Sequence, residues 1–203
     1  MGSILGDFTR GLDWDHVPSP VLAGVRHHLA VDVFTDQHPQ VLASKSLFSR
    51  ERRRFAGVAL DILYDHFLLR HWEQFSDWDK DTFIRTVYRE LQSHQALMPD
   101  NMAVVTRRMV EHAWFGAYQD LDNIGYALDR VAGRIRFAHR FTGIIDEIRD
   151  NEAELEGHFL AFFPELQAFA PRSPESPPQA VTGLLEPTLQ ATHQRSTPHH
   201  TLT

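Results

Sequence analysis

No cysteine occurs in the 203 residues, which excludes disulfides, thiolate metal sites and a cysteine nucleophile. That absence fits a reducing compartment, so a cytoplasmic location is the expectation. No apolar run approaches the roughly 18 residues that a membrane-spanning helix needs. The opening, Met1-Gly-Ser-Ile-Leu-Gly-Asp7, lacks the basic, apolar and cleavage regions of a secretory signal. A basic excess is missing too. The net charge of −7 argues against a general nucleic-acid binder. There is no glycine-rich phosphate loop, no Gly-x-Ser-x-Gly elbow and no dinucleotide fingerprint. Neither an alternating strand pattern nor an internal repeat is found.

What is present is helical periodicity. Ser19-Pro20 reads as a helix start, and Pro39 reads as the end of that helix. A longer helix is expected from about Arg50 to His71, with Phe55, Val58, Ile62 and Leu69 on one stripe. Others are expected over about 79–95, 101–117, 120–136 and 141–163. In the last, Phe141, Ile144, Ile145, Ile148, Leu155, Phe159 and Phe162 form an apolar face. The fold class is therefore all-α, a single helical bundle over residues 1–170. From Pro171 the pattern stops: six of the eleven prolines lie in 171–203, among many Ser, Thr and Gln. Such a segment cannot bury enough surface to offset its ordering entropy, so a disordered tail is expected there.

Acids and histidines recur on two of these helices. His28 and Asp32 are four apart, within about 40° of each other on one helix face, and Asp36 continues the row. On the next long helix, Asp61 and Asp65 are four apart, and Asp65 and His66 flank the apolar stripe. A third acid, Asp7, sits in the largely apolar Ser3-Ile-Leu-Gly-Asp-Phe-Thr. Two readings are open. One is a hydrogen-bonded network that ties helices together. The other is a divalent-metal site, since carboxylates with some imidazole suit manganese or magnesium. Ionised groups beside an apolar face are costly unless paired or metal-bound.

Three strings carry a resemblance: Ile-Leu-Gly-Asp7-Phe-Thr-Arg-Gly, His28-Leu-Ala-Val-Asp32-Val-Phe-Thr-Asp36, and Leu-Asp61-Ile-Leu-Tyr-Asp65-His66-Phe-Leu-Leu-Arg-His71-Trp72. In order and spacing they resemble acyl carrier protein phosphodiesterase, over roughly residues 2–165. The resemblance implies a manganese-dependent hydrolase (magnesium being the alternative ion), distantly related to the helical His-Asp metal phosphohydrolases. Its reaction would cut the phosphodiester between 4′-phosphopantetheine and a serine of holo-acyl carrier protein. The ligand set expected on this basis is Asp7, His28, Asp65 and His66, with Asp32 and Asp61 either as further ligands or as catalytic acids that orient the histidines. The adjacent pair is Asp65-His66, reversed from the usual His-Asp order. The family is also expected to begin upstream with a histidine-bearing segment, whose loss would weaken metal binding.

A carrier protein that is acidic around its modified serine would need a basic landing surface on an enzyme of net charge −7. The expected surface is Arg50, Arg52, Arg53 and Arg54, at the start of the helix bearing Asp61 and Asp65. No nucleic acid and no membrane are expected as partners. Two rival readings stand beside this one: a phosphohydrolase of a nucleotide or other small phosphoester, and a helical binding protein without catalysis.

Overall fold

The computed structural model describes residues 2–9 and 13–170; the tail expected from Pro171, with His193, His199 and His200, lies outside the described residues. Eleven α-helices occur among the described residues, with short 3-10 turns and no strand. They are α1 Gly2–Leu5, α2 Ser19–Gln37, α3 Pro39–Leu47, α4 Ala56–Arg70, α5 Trp72–Phe75 and α6 Lys80–Ser93. After these come α7 Asp100–Glu111, α8 Trp114–Ala117, α9 Leu121–Ala132, α10 Ile144–Asp150 and α11 Glu152–Phe169.

The bundle is organised around α4, which is buried almost all round; eleven of its residues, including Asp65 and His66, have little or no exposure. A helix that is apolar on every side belongs in the middle of a bundle. It packs on α3, α9 and α11, while α2 is covered by α1 and α3. Tyr64, Phe67, Phe159 and Phe162 meet between α4 and α11 with ring centroids 5.2–5.7 Å apart. Each such side chain contributes about 1.5–3 kcal/mol of burial relative to exposure.

Helix ends differ from the sequence reading at four places. Pro39 does not simply end α2. It is the first residue of α3, where its missing N–H costs nothing, and the Nδ1 of His38 accepts from the backbone N–H of Gln40 at 3.2 Å. Arg53–Phe55 form a 3-10 turn, so α4 proper begins at Ala56. The helix expected over 101–117 is broken at Ala113, whose φ of 46° is left-handed. The one expected over 141–163 is broken at Asn151, then runs through Pro164 to Phe169.

Candidate active site

The N-terminal turn delivers an acid onto α2. Gly2–Leu5 anchors through buried Ile4 and Leu5, and the following 3-10 turn, Gly6–Phe8, swings Asp7 over the α2 surface. Gly6 is there because nothing larger fits: a Cβ at this position would stand 2.0 Å from Cδ2 of His28. His28 is buried at 3% exposure. Its Nε2 lies 3.3 Å from Asp7 Oδ1 and 3.2 Å from Asp32 Oδ2. One turn of helix sets the second contact, and the chain's return over Gly6 sets the first.

The electrostatics of this cluster are those of crowded acids around too few cations. Burial opposes charge on His28, but the hydrogen bond it donates to Asp7 and the negative field of Asp7 and Asp32 outweigh it, raising the imidazole above its ordinary value. Burial, then the neighbouring Asp7 and Asp36, pushes Asp32 up to about 6 against the pull of His28. Asp61, half-buried on α4, is pushed to about 8 by burial and by Asp36, Asp32 and Asp7, with Lys45 as the opposing cation. Lys45 in turn holds Asp36 at 2.7 Å. Asp65 is raised well above the carboxylate range by burial and by Asp61, and its Oδ2 has no partner among the described residues.

Thus the fold brings Asp7, His28, Asp32 and Asp61 into one electrostatic neighbourhood, with Asp65 behind Asp61. His66 is not part of it. Its Nδ1–H donates to the Tyr118 carbonyl at 2.8 Å, and burial lowers its pKa. About 100° of rotation separates it from Asp65, which turns it toward α8 and α9. The expectation that His66 would join Asp7 and His28 is therefore corrected: Asp61, not the Asp65-His66 pair, is the α4 residue facing the α2 carboxylates. Among the described residues, no group of three or more His, Asp or Glu side chains is arranged as a ready metal site. The Asp7–His28–Asp32 contact is that of an imidazole sharing its proton between two carboxylates.

The arginine run also differs from expectation. Arg52 donates to the carbonyls of Arg140 and Thr142 and pairs with Glu147 at 3.2 Å. Arg53 donates to the carbonyls of Ser46 and Phe48. Arg54 donates to Ala138 and lies over the Phe55 and Phe137 rings. Arg52 and Arg54 tie the turn before α4 to the segment before α10, and Arg53 ties it to the end of α3. Of the four expected docking residues, Arg50 alone is exposed without such a bond among the described residues.

The family model for acyl carrier protein phosphodiesterase matches residues 1–166. The chain belongs to the acyl carrier protein phosphodiesterase family. It is 32% identical over 167 residues to a Serratia proteamaculans relative bearing that name, covering 82% of this chain and 86% of the relative. A Shigella boydii relative is 32% identical over 172 residues, covering 84% and 86%. A Salmonella agona relative is 31% identical over 179 residues, covering 84% and 89%. No solved structure matches. The match takes in all of α1 to α10 and most of α11, so every acid of the cluster lies inside the family region.

Two contributors escaped the sequence reading. Gly6 was passed over because close approach of a ring to a backbone leaves no one-residue signature. Lys45 was passed over because α3 was not recognised; once Pro39 is read as a helix start, Lys45 lies near the end of a helix that leads from α2 toward α4.

Proposed function

We propose that this protein is a phosphodiesterase that releases 4′-phosphopantetheine from the serine of holo-acyl carrier protein. The observation that carries the proposal is the Asp7–His28–Asp32 contact, built from strings inside the matched family region and facing the half-buried Asp61. The family match supplies the substrate, through the names of the relatives.

The residues suit the chemistry of a phosphodiester. The substrate is anionic, and its leaving alkoxide needs a proton. Asp32, with a 45% exposed side chain and a pKa near 6, changes protonation close to neutral pH, as a general acid or base must. Asp61, at about 8, keeps its proton at neutral pH and adds no negative charge facing the phosphate. His28, whose hold on a proton is strengthened by Asp7 and Asp32 against the effect of its burial, fixes the orientation of Asp32.

Manganese, with magnesium as the alternative, is proposed as the cofactor on donor chemistry alone. Two carboxylates and an imidazole are hard and borderline donors, and the cluster carries more acid than His28 and Lys45 offset. Once the proton on His28 Nε2 is displaced, Asp7, His28 and Asp32 would hold the ion, which would supply polarisation of the phosphoryl group and activation of water. The same reading carries a cytoplasmic location and a place in lipid metabolism. No helix among the described residues is long and apolar enough to cross a membrane.

The test is to incubate the chain with holo-acyl carrier protein and Mn2+ and to follow loss of the prosthetic group by mass. Apo-carrier and free 4′-phosphopantetheine are the expected products. An intact holo-carrier, beside cleavage of a nucleotide ester, would replace this reading with that of a small-molecule phosphohydrolase. The cofactor has its own readout: Mn2+ at 100 times its Kd should add about 2.7 kcal/mol of stability, and Asp7→Ala should abolish that gain.

A further inference from the structure

We infer that the groove between α4, α8 and α9 is the docking site for an acidic amphipathic helix of the protein substrate. The groove has a volume of about 210 Å3, with Ile62, Trp114 and Val131 among its apolar lining and Arg130 and Arg134 at its edge. Tyr126 stands beside it with 70% of its surface exposed. Tyr126, Arg130 and Arg134 are spaced four apart, so the first two share one face of α9 and Arg134 extends that row beyond its end. Tyrosine, tryptophan and arginine around an apolar centre are the side chains that dominate protein interfaces.

Charge selects the occupant. Arg149 pairs with Asp122, and Arg70 pairs with Glu152 and Glu156. Arg130 and Arg134 have no carboxylate within ion-pair distance among the described residues, in a chain with an excess of acids. The helix dipole accounts for one cation near the end of α9. It does not account for two arginines beside an apolar groove and an exposed tyrosine. A helix with apolar side chains on one face and carboxylates flanking them satisfies all of these at once. Charges so placed also speed encounter, which an enzyme of net charge −7 otherwise slows.

The groove is coupled to the acid cluster through α4. Ile62 lines the groove, and its neighbour Asp61 faces the α2 carboxylates, about 100° around the same axis. A partner seated on α9 would therefore lie roughly one helix diameter, about 10–12 Å, from the cluster. A flexible prosthetic arm is the kind of group that spans such a gap.

The inference rests on the carrier-protein reading, and its test keeps the two apart. Fluorescently labelled apo-acyl carrier protein, which has no phosphodiester to cut, is titrated with the full chain by anisotropy. Arg130→Glu and Arg134→Glu should each raise Kd at least about tenfold and flatten its salt dependence. Tyr126→Ala should raise Kd without lowering the melting temperature. Arg50→Glu makes the same charge change away from the groove and should shift Kd by less than about twofold. Equal effects of Arg50→Glu and Arg130→Glu would overturn the groove as the docking site, as would a Kd that none of the variants moves. Wild-type binding that these variants weaken, without cleavage of holo-carrier, would uphold the groove and remove the hydrolase reading. Cleavage with an unmoved Kd would do the reverse.

Discussion

Two stretches of this chain look alike in sequence and are treated in opposite ways by the fold. The acids of α2 and α4 and the arginines of residues 50–54 are both bunched like charges. Three of the arginines are spent inside the molecule, each on a backbone carbonyl and Arg52 on Glu147 as well. The acids are offset only by His28 and Lys45: their neighbours and burial raise the cost of ionising Asp32 and Asp61, and Asp65 keeps a buried oxygen without a partner among the described residues. Bunched charge that the fold satisfies is architecture. Bunched charge that it leaves in mutual opposition is where chemistry is to be sought.

The sharpest way to break the contrast is to remove the imidazole on which the acids converge. His28→Ala should lower carrier-protein cleavage by about 10²–10⁴-fold, the usual span for a lost acid–base or positioning group. Circular dichroism should stay near wild type, because α2 keeps its other buried residues Val25, Val31 and Thr35. Gly6→Ala tests the same point from the other side, since its Cβ enters the imidazole and must displace either the ring or the N-terminal turn. Activity within threefold of wild type in both variants would remove the cluster from the reaction.

The second effect is on stability, and its sign is opposite to that of most charge removals. Asp61 titrates near 8 in the folded state and Asp32 near 6, both above the ordinary 3.8, and His28 lies above its ordinary 6.5. In all three cases the folded state binds more protons than the unfolded chain. Stability from these groups is therefore present at low pH and falls as pH rises, from about 4 to 6 for Asp32 and about 4 to 8 for Asp61. Without added metal, the melting temperature should drop between pH 5 and pH 8.5. Asp61→Asn should flatten that drop and melt higher than wild type at pH 8.5. An unchanged slope in Asp61→Asn would mean that the carboxylates do not oppose one another.

The all-helical class was legible because apolar spacing is a property of whole segments. The His28–Asp32 contact was legible too, since i,i+4 spacing fixes a face before any tertiary contact forms; the approach of Asp7 depends on how the N-terminal turn folds back over α2. It misassigned His66 because the two sides of a helix buried all round look the same in one dimension. Which of Asp61, Asp65 and His66 faces α2 depends on how α4 is rotated in the bundle, and that is set by α3, α9 and α11 together. The bonds that the arginines of residues 52–54 make within the fold were hidden for a related reason. The partners of Arg52 and Arg54, at Ala138, Arg140, Thr142 and Glu147, lie 84–95 residues away, and most, like those of Arg53 at Ser46 and Phe48, are carbonyls that no side-chain pattern reveals.

The smallest effects test the other half of the contrast, within the arginine run itself. Arg52 makes three bonds across the turn, to two carbonyls and to Glu147. Gly143, whose φ of 74° sets the start of α10, lies beside its guanidinium: a Cβ added there would stand 3.5 Å from Nη2. Removing it leaves those acceptors half-exposed, so water replaces part of what is lost. Arg52→Ala should cost about 2 kcal/mol by urea unfolding, in the range for hydrogen bonds to charged groups. Arg50, two residues earlier and exposed, should cost no more than about 0.5 kcal/mol on truncation to Ala, as surface positions do. The carboxylate of Glu147 gives a second check, because Arg52 and the backbone N–H of Ser49 hold its pKa below the ordinary value against the opposing effect of its burial. In Arg52→Ala that pKa should rise toward 4.5, which side-chain carboxyl NMR can follow. Equal costs for Arg50→Ala and Arg52→Ala would show that the run is a solvated patch after all, and its arginines would again be candidates for meeting a partner.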